Sequence, residues 1–370
     1  MTEETAVSKL AAALEKMDRR HFIVSHGGKV RIGTDKKADG VTPSSMEMWS
    51  ELDLKVWYRD HNVRQPILSA DGELQGYKNI NVAEKWLTTP TPNKRRFEEI
   101  VFDPSGKAPP DAYNLWTGFT FEPKPGDWSL FRSHIEEIIC NEEQRLIDYT
   151  LGWMARAVQF PARPGETALV FRGAKGTGKG TFNDLFGRLF GPHYLQVSNP
   201  EHITGRFNSH LKETVLFAID EGYWAGSREG EGILKSLITE PYLPVEKKYY
   251  DVEHVLNCLH ITMSSNASWV VPASGFERRF CVLDMNDKMA QNVAYFAAIR
   301  KTDGGGRFCR YAARPLGYGP VGVQPPPPAR HRSPARADDL LHDWHQGLVV
   351  RAADGGEPHA RSRRLEGRAV

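Results

Sequence analysis

Cysteine is scarce: Cys140, Cys258, Cys281 and Cys309 are the only four in 370 residues, and no two form a C-x-x-C pair. That excludes the usual spacing of a zinc site and the framework of a disulfide-stapled domain, and it suits a reducing cytosol. No apolar run is long enough to span a bilayer. The opening MTEETAVSKLAAALEKMDRR is acidic at its start and amphipathic, unlike a secretory leader. The expected location is therefore cytoplasmic, with no membrane partner. A strong charge of one sign is also missing. The net charge is +2, so any nucleic-acid site must be a local patch. There is no internal repeat, and no lysine follows Lys301.

One further lack is a hydroxyl. GAKGTGKGT, residues 173–181, matches the phosphate-binding pattern G-x-x-x-x-G-K-[ST] through Gly173, Gly178 and Lys179. Gly180 then stands where Ser or Thr belongs, and the hydroxyl arrives at Thr181. A glycine-rich turn between strand and helix lets backbone N–H groups converge on phosphate, aided by the helix N-terminus. The candidate nucleotide-binding stretch is Gly173, Ala174, Lys175, Gly176, Thr177, Gly178, Lys179, Gly180 and Thr181. Lys179 would reach the β- and γ-phosphates, and a hydroxyl would join the Mg²⁺ shell. The flanks agree. Ala168-Leu169-Val170-Phe171 is a short apolar run after the breaker Pro164-Gly165, and 182, 185, 186, 189 and 190 are apolar at helical spacing.

Three later stretches extend the pattern. VLFAIDE (215–221) is an apolar strand ending in two acids: Asp220 would hold Mg²⁺ and Glu221 would polarise an attacking water. LHITMSSN (259–266) is a second such strand, with Asn266 as a candidate γ-phosphate sensor. FERRF (276–280) offers Arg278 and Arg279, whose permanent planar charge suits transition-state stabilisation. Each has a plainer reading: a chance β-edge, a turn asparagine, a surface basic pair. Their order after the loop favours the catalytic one.

The order GAKGTGKGT, FAIDE, LKSLITEP, MSSN, ERRF resembles the superfamily 3 helicase ATPases of small viruses, phages and plasmids. More closely, it resembles a phage and prophage family of primase-helicase-type replication proteins, DUF5906. Matching stretches include YNLWTGF (113–119), LGWMARAVQFP (151–161), GRFNSHL (205–211), DEGYWAG (220–226) and SNASWVVP (265–272). The likeness spans about residues 100 to 300, with a weaker match from about 10. G-K-G-T is usual in that family, which makes Thr181 and Asp220 the metal candidates. The resemblance also implies a hairpin between the acidic strand and the sensor that grips single-stranded DNA, with Lys235, Lys247, Lys248 and Tyr249 as candidate contacts. Lysines there can neutralise phosphates and a tyrosine can stack on bases; a solvated basic turn is the plainer alternative.

The expected fold is α/β: an AAA+-like, superfamily 3-type P-loop NTPase core with a central parallel sheet flanked by helices, preceded by a smaller α+β region. The expected divisions are 1–128 (mixed α+β), 129–164 (helical linker or collar), 165–302 (ATPase core) and 303–370 (tail). The expected activity is ATP-driven movement on single-stranded DNA in phage or mobile-element replication, with ATP and Mg²⁺ as cofactors. A homo-oligomeric ring, a hexamer by preference, would work in the bacterial cytoplasm beside a primase or polymerase and other replication proteins. Two alternatives stay open: a nucleoside-monophosphate kinase, since such enzymes use G-x-G-K-G-T, and an ATP-binding initiator that does not unwind. Glu51-Leu52-Asp53 has acid spacing but no apolar strand before it, so no polymerase site is expected in 1–130.

The tail holds GGG, PPPP and eleven arginines. Composition reads it as a disordered basic tail or a nucleic-acid arm. A third reading is a shifted frame. Arg307–Gln324, back-translated with permitted codons and read one base later, gives GFAVMLLDLSAMDLSGFN, a helix-like pattern followed by a turn. The coding DNA decides between these.

Overall fold

The structure is a computed structural model. It describes residues 3–35, 46–71, 73–121, 127–220, 228–248, 251–266 and 278–303, all within one compact unit spanning Met1–Arg330. The tail and its three readings lie outside the described residues.

The first elements build a small α/β layer. Helix α1 (Glu3–Arg20) buries Leu10, Leu14 and Met17, spaced four and three apart along one face. Strands β1 (His21–His26) and β2 (Lys29–Thr34) form an antiparallel hairpin across Gly27 and Gly28, whose φ values are 58° and 70°. Two positive φ angles are what a two-residue hairpin turn requires. Strand β3 (Glu47–Trp49) adds to β2, and α2 (Glu51–Trp57) follows. There Ser50 Oγ accepts from the Asp53 N–H at 3.1 Å, and Asp53 Oδ2 accepts from the Ser50 N–H at 3.2 Å. One acid of the ELD triplet thus serves as a helix cap. A second hairpin, β4 (Asn62–Leu68) with β5 (Leu74–Asn81), leads into α3 (Val82–Thr88). Strand β6 (Arg96–Phe97) pairs in parallel with β1, so the sheet order is β3-β2-β1-β6. Trp86 is fully buried in this layer, and its Nε1 donates to Asp18 at 2.7 Å.

Strands β7 (Glu99–Val101) and β8 (Ala112–Asn114) pair in parallel. Beyond them Phe102, Trp116, Phe119 and Phe121 pack against a second, larger core. Helix α4 (Ser129–Ser133) runs into a π-helical turn, His134–Ile139, where the residue pattern alone predicts ordinary α-helix. The wider turn buries His134, Ile135, Ile138 and Ile139 together. Helix α5 (Gln144–Gln159) then buries Trp153, whose Nε1 donates to the Thr167 carbonyl at 2.8 Å.

The larger core surrounds a five-stranded parallel sheet. Strand β9 (Ala168–Arg172) precedes α6 (Lys179–Phe190); β10 (Tyr194–Val197), a short α7 (Glu201–Thr204) and β11 (Leu216–Asp220) follow. Then come α8 (Arg228–Thr239), the antiparallel hairpin β12 (Tyr242–Val245) with β13 (Glu253–Leu256), β14 (His260–Ser265), β15 (Phe280–Asp284) and α9 (Val293–Asp303). The order is β10-β11-β14-β9-β15, with every neighbouring pair parallel. β9, β11 and β14 are almost wholly buried, as strands covered on both faces must be. Because all five run one way, their carboxyl ends share one edge of the sheet and their amino ends the other.

The molecule is thus a mixed α/β protein with a parallel sheet. No described helix is long and apolar enough to cross a membrane. No metal-binding group of three or more His, Cys, Asp or Glu occurs among the described residues, and Cys140, Cys258 and Cys281 are buried free thiols.

Candidate functional site

The carboxyl edge of the sheet carries the loop. Residues 173–178 link β9 to α6, and the chain reverses there because Gly176 and Gly178 take φ values of 83° and 98°. L side chains rarely adopt that region. Gly178 is constrained a second time: a Cβ on it would stand 2.6 Å from His134 Cε1 and 2.6 Å from Phe296 Cε1. Thr177 is buried, and its hydroxyl donates to the Ala174 carbonyl at 3.0 Å, which closes the loop on itself. Ala174 and Lys175 stay exposed on its outside. Helix α6 begins at Lys179 with no side-chain cap, so its first-turn N–H groups face the loop.

Lys179 is buried, and its Nζ donates to the carbonyls of Gly173 at 2.7 Å and Ala174 at 2.8 Å. It also donates to Asn266 Oδ1 at 2.8 Å, a residue 87 positions away. Strand order explains the meeting. β14 lies between β9 and β11, so Ser264 stands opposite Phe171 on one side and Asp220 on the other. Asn266, just past β14, therefore falls between the loop lysine and the acidic strand. A buried network fixes α6 to that strand: Thr262 Oγ1 donates to Asn183 Oδ1 at 2.8 Å, and Asn183 Nδ2 donates to Ser264 Oγ at 3.4 Å. Asp220, partly exposed at the end of β11, accepts from Gln196 Nε2 at 3.2 Å. Its neighbour Glu221 lies outside the described residues.

Behind the loop stand residues that spacing rules did not single out. The Gln291 N–H donates to the Gly176 carbonyl at 3.0 Å. His134 Nδ1 lies 3.2 Å from the Tyr295 hydroxyl, and burial pushes its pKa down to about 4, so the ring packs against Gly178 uncharged at neutral pH. The one sequence signal was Gly178 itself, since a motif glycine implies a close neighbour without naming it.

The late hydroxyl takes an unexpected direction. At Gly180 an added Cβ would meet nothing within 4 Å, so the usual Ser/Thr position faces open space. Thr181 is turned inward at 3% exposure, and its Oγ1 accepts from Arg300 Nη2 at 3.4 Å.

The two arginines ahead of β15 sit elsewhere. Arg278 is exposed and Arg279 partly so. The Arg279 carbonyl accepts from the Ala168 N–H at 2.9 Å, at the amino ends of β15 and β9. Both are thus at the edge opposite Lys179, Asn266 and Asp220. The β12–β13 hairpin holds Leu243 and Val245 inward and leaves Lys247 and Lys248 exposed in its connection. The start of that connection is tethered: Arg206 Nε bonds Glu246 at 2.7 Å, and Asn208 Oδ1 accepts from the Glu246 N–H at 2.8 Å. Lys235 lies apart on α8, with its Nζ 2.6 Å from Glu231 Oε1 one turn earlier. Tyr249 lies outside the described residues.

Comparison with known proteins gives these elements relatives. A family model described as a family of unknown function (DUF5906) matches residues 171–279, from the end of β9 to the start of β15. The chain is similar to a DNA primase-polymerase of Nitratiruptor phage NrS-1, at 26% identity over 229 residues. That match covers 54% of this chain and 32% of the relative, so the chain matches about a third of that protein's length. Among solved structures, the apo NrS-1 C-terminal region aligns with TM-score 0.59 at 17% identity, covering 85% of this chain and 69% of that one. An A-form apo structure of the same region aligns with TM-score 0.58 at 17% identity, covering 82% and 68%. At such identities the likeness is one of fold.

Proposed function

We propose that this chain is a phage replication ATPase with a P-loop core of the superfamily 3 helicase type, which couples ATP hydrolysis to movement on single-stranded DNA. The observation that carries the reading is the bond from Lys179 Nζ to Asn266 Oδ1 at 2.8 Å, beside a glycine loop with two left-handed residues. It joins a phosphate-reaching cation to a polar sensor on the strand next to the acids. Similarity to a phage DNA primase-polymerase supports a role in replication.

The residues fit a nucleotide's phosphates: uncapped N–H groups at the start of α6, a loop whose glycine leaves no room for a side chain, and a buried lysine. On binding, Lys179 would exchange its two carbonyl partners for phosphate oxygens while Asn266 holds its amine in line. Of the two metal candidates, the Asp220 carboxylate fits Mg²⁺ better. The Thr181 hydroxyl already accepts from a guanidinium, whose charge opposes a second cation beside it. A bound Mg²⁺ would neutralise charge on the β- and γ-phosphates. Glu221 would accept the proton of the attacking water. Arg278, with Arg279 beside it, would serve the site of a neighbouring copy, because both stand at the sheet edge away from their own loop. A site completed between copies would call for a ring, a hexamer by preference. Lys247 and Lys248 on the tethered hairpin would hold DNA phosphates.

ATP hydrolysis measured with and without single-stranded DNA tests this. Turnover should need Mg²⁺ and rise with DNA. In the Lys247→Ala, Lys248→Ala double variant basal turnover should persist, while the slope of log affinity against log salt falls by about 1.4 for two lost phosphate contacts. An ATPase indifferent to DNA would favour an initiator, and phosphate transfer to a nucleoside monophosphate would favour a kinase.

A further inference from the structure

Arg300 has no place in the motifs, yet it stands at the mouth of the loop. It lies on α9, one turn beyond Phe296, and residues four apart share a helix face. That face is docked against the loop: Phe296 is buried beside Gly178, and Tyr295 meets His134. Gln291, just ahead of α9, bonds the Gly176 carbonyl. The docking carries the exposed Arg300 guanidinium to the first turn of α6, where Nη2 donates to Thr181 Oγ1 at 3.4 Å. No carboxylate partners Arg300 among the described residues. A long bond to a neutral hydroxyl is a weak claim on a permanent cation.

We infer that Arg300 binds the nucleotide's phosphates from within its own chain, at the α/β end of the triphosphate. This rests on reading the loop as a nucleotide site. Lys179 faces the sheet and Asn266, toward the β- and γ-phosphates. Thr181 lies further along α6, and Arg300 approaches from α9, away from the sheet. The α- and β-phosphates, cradled by the loop's N–H groups, fall between these two cations. Arg300 therefore grips ADP as firmly as ATP, whereas Arg278 would act only on hydrolysis.

Equilibrium binding of ATP and ADP to the full chain tests this, with Arg300→Ala, Arg300→Gln and, as control, Lys301→Ala on the same helix. Arg300→Gln keeps a donor and most of the stem, which guards against a folding defect in the alanine variant. Both nucleotides should bind about tenfold or more weakly to Arg300→Ala, as expected when a charge-assisted hydrogen bond is lost. Arg300→Gln should lose nearly as much, and Lys301→Ala should match wild type. ADP affinity unchanged in a folded Arg300→Gln chain overturns the inference, as does a loss confined to ATP, which would move Arg300 to the γ-phosphate. If Lys179→Ala weakens binding and the Arg300 variants do not, the inference fails and the nucleotide site stands. If the wild-type chain binds neither nucleotide, both fail.

Discussion

The two edges of the five-stranded sheet carry different candidate residues. At the carboxyl edge Lys179, Asn266 and Asp220 converge from three adjacent strands, and one hydrogen bond joins residues 87 positions apart. At the amino edge Arg278 and Arg279 precede β15, only a dozen residues beyond Asn266 in sequence but across the full length of a strand in space. In a parallel sheet the chain must return to the starting edge before each strand. Motifs that end strands therefore gather, while a motif that begins one is sent to the far side. On the proposed reading the phosphate-holding residues come from one chain, and the arginines at the opposite edge would serve another copy.

The sharpest way to break this comparison is to remove one cation from each edge. Lys179→Ala should abolish hydrolysis and greatly weaken ATP binding. Arg278→Ala should lower turnover by about 10³ or more, the usual weight of such an arginine, and leave the ATP dissociation constant within about twofold. Nucleotide titrations beside steady-state turnover separate the two. If Arg278→Ala loses binding as Lys179→Ala does, the edges do not divide the labour.

Asn266→Ala asks whether the bridge at the carboxyl edge matters. Losing a hydrogen bond to a charged amine should cost on the order of tenfold to a hundredfold in turnover, with a smaller change in affinity. Turnover equal to wild type would return Asn266 to an ordinary strand-end turn.

How far the sequence carries this picture depends on the length scale. The apolar runs of β9, β11 and β14, each ending in polar residues, were legible because a doubly buried parallel strand has almost no other composition. The loop was legible because only glycine tolerates its angles. Strand order was not: which strand inserts between β9 and β11 depends on how the crossover helices pack, and no local pattern records it. Side-chain docking was equally illegible: Phe102, Trp116 and Phe119 pack on the larger core, and no local pattern records it. His134 and Arg300 were invisible because each reaches the loop region only through a neighbour supplied by tertiary docking, Gly178 in one case and Thr181 in the other.

A smaller effect sharpens the comparison at Gly180, where the loop departs from its pattern. The position is exposed, helical and open, so Gly180→Ala should raise stability by about 0.5–1 kcal/mol through the backbone entropy that glycine carries. Denaturant melts measure this. A destabilised variant would mean that the first turn of α6 is more crowded than its open surface implies.

Mixing two inactive chains tests the central claim most directly. Arg278→Ala keeps the carboxyl edge whole, and Lys179→Ala keeps the amino edge whole. Combined above the assembly concentration, with subunit exchange verified by labelled chains, they should recover part of the wild-type ATP hydrolysis, because some interfaces then pair an intact loop with an intact arginine. Exchanging mixtures as inactive as either parent would contradict a site completed between copies.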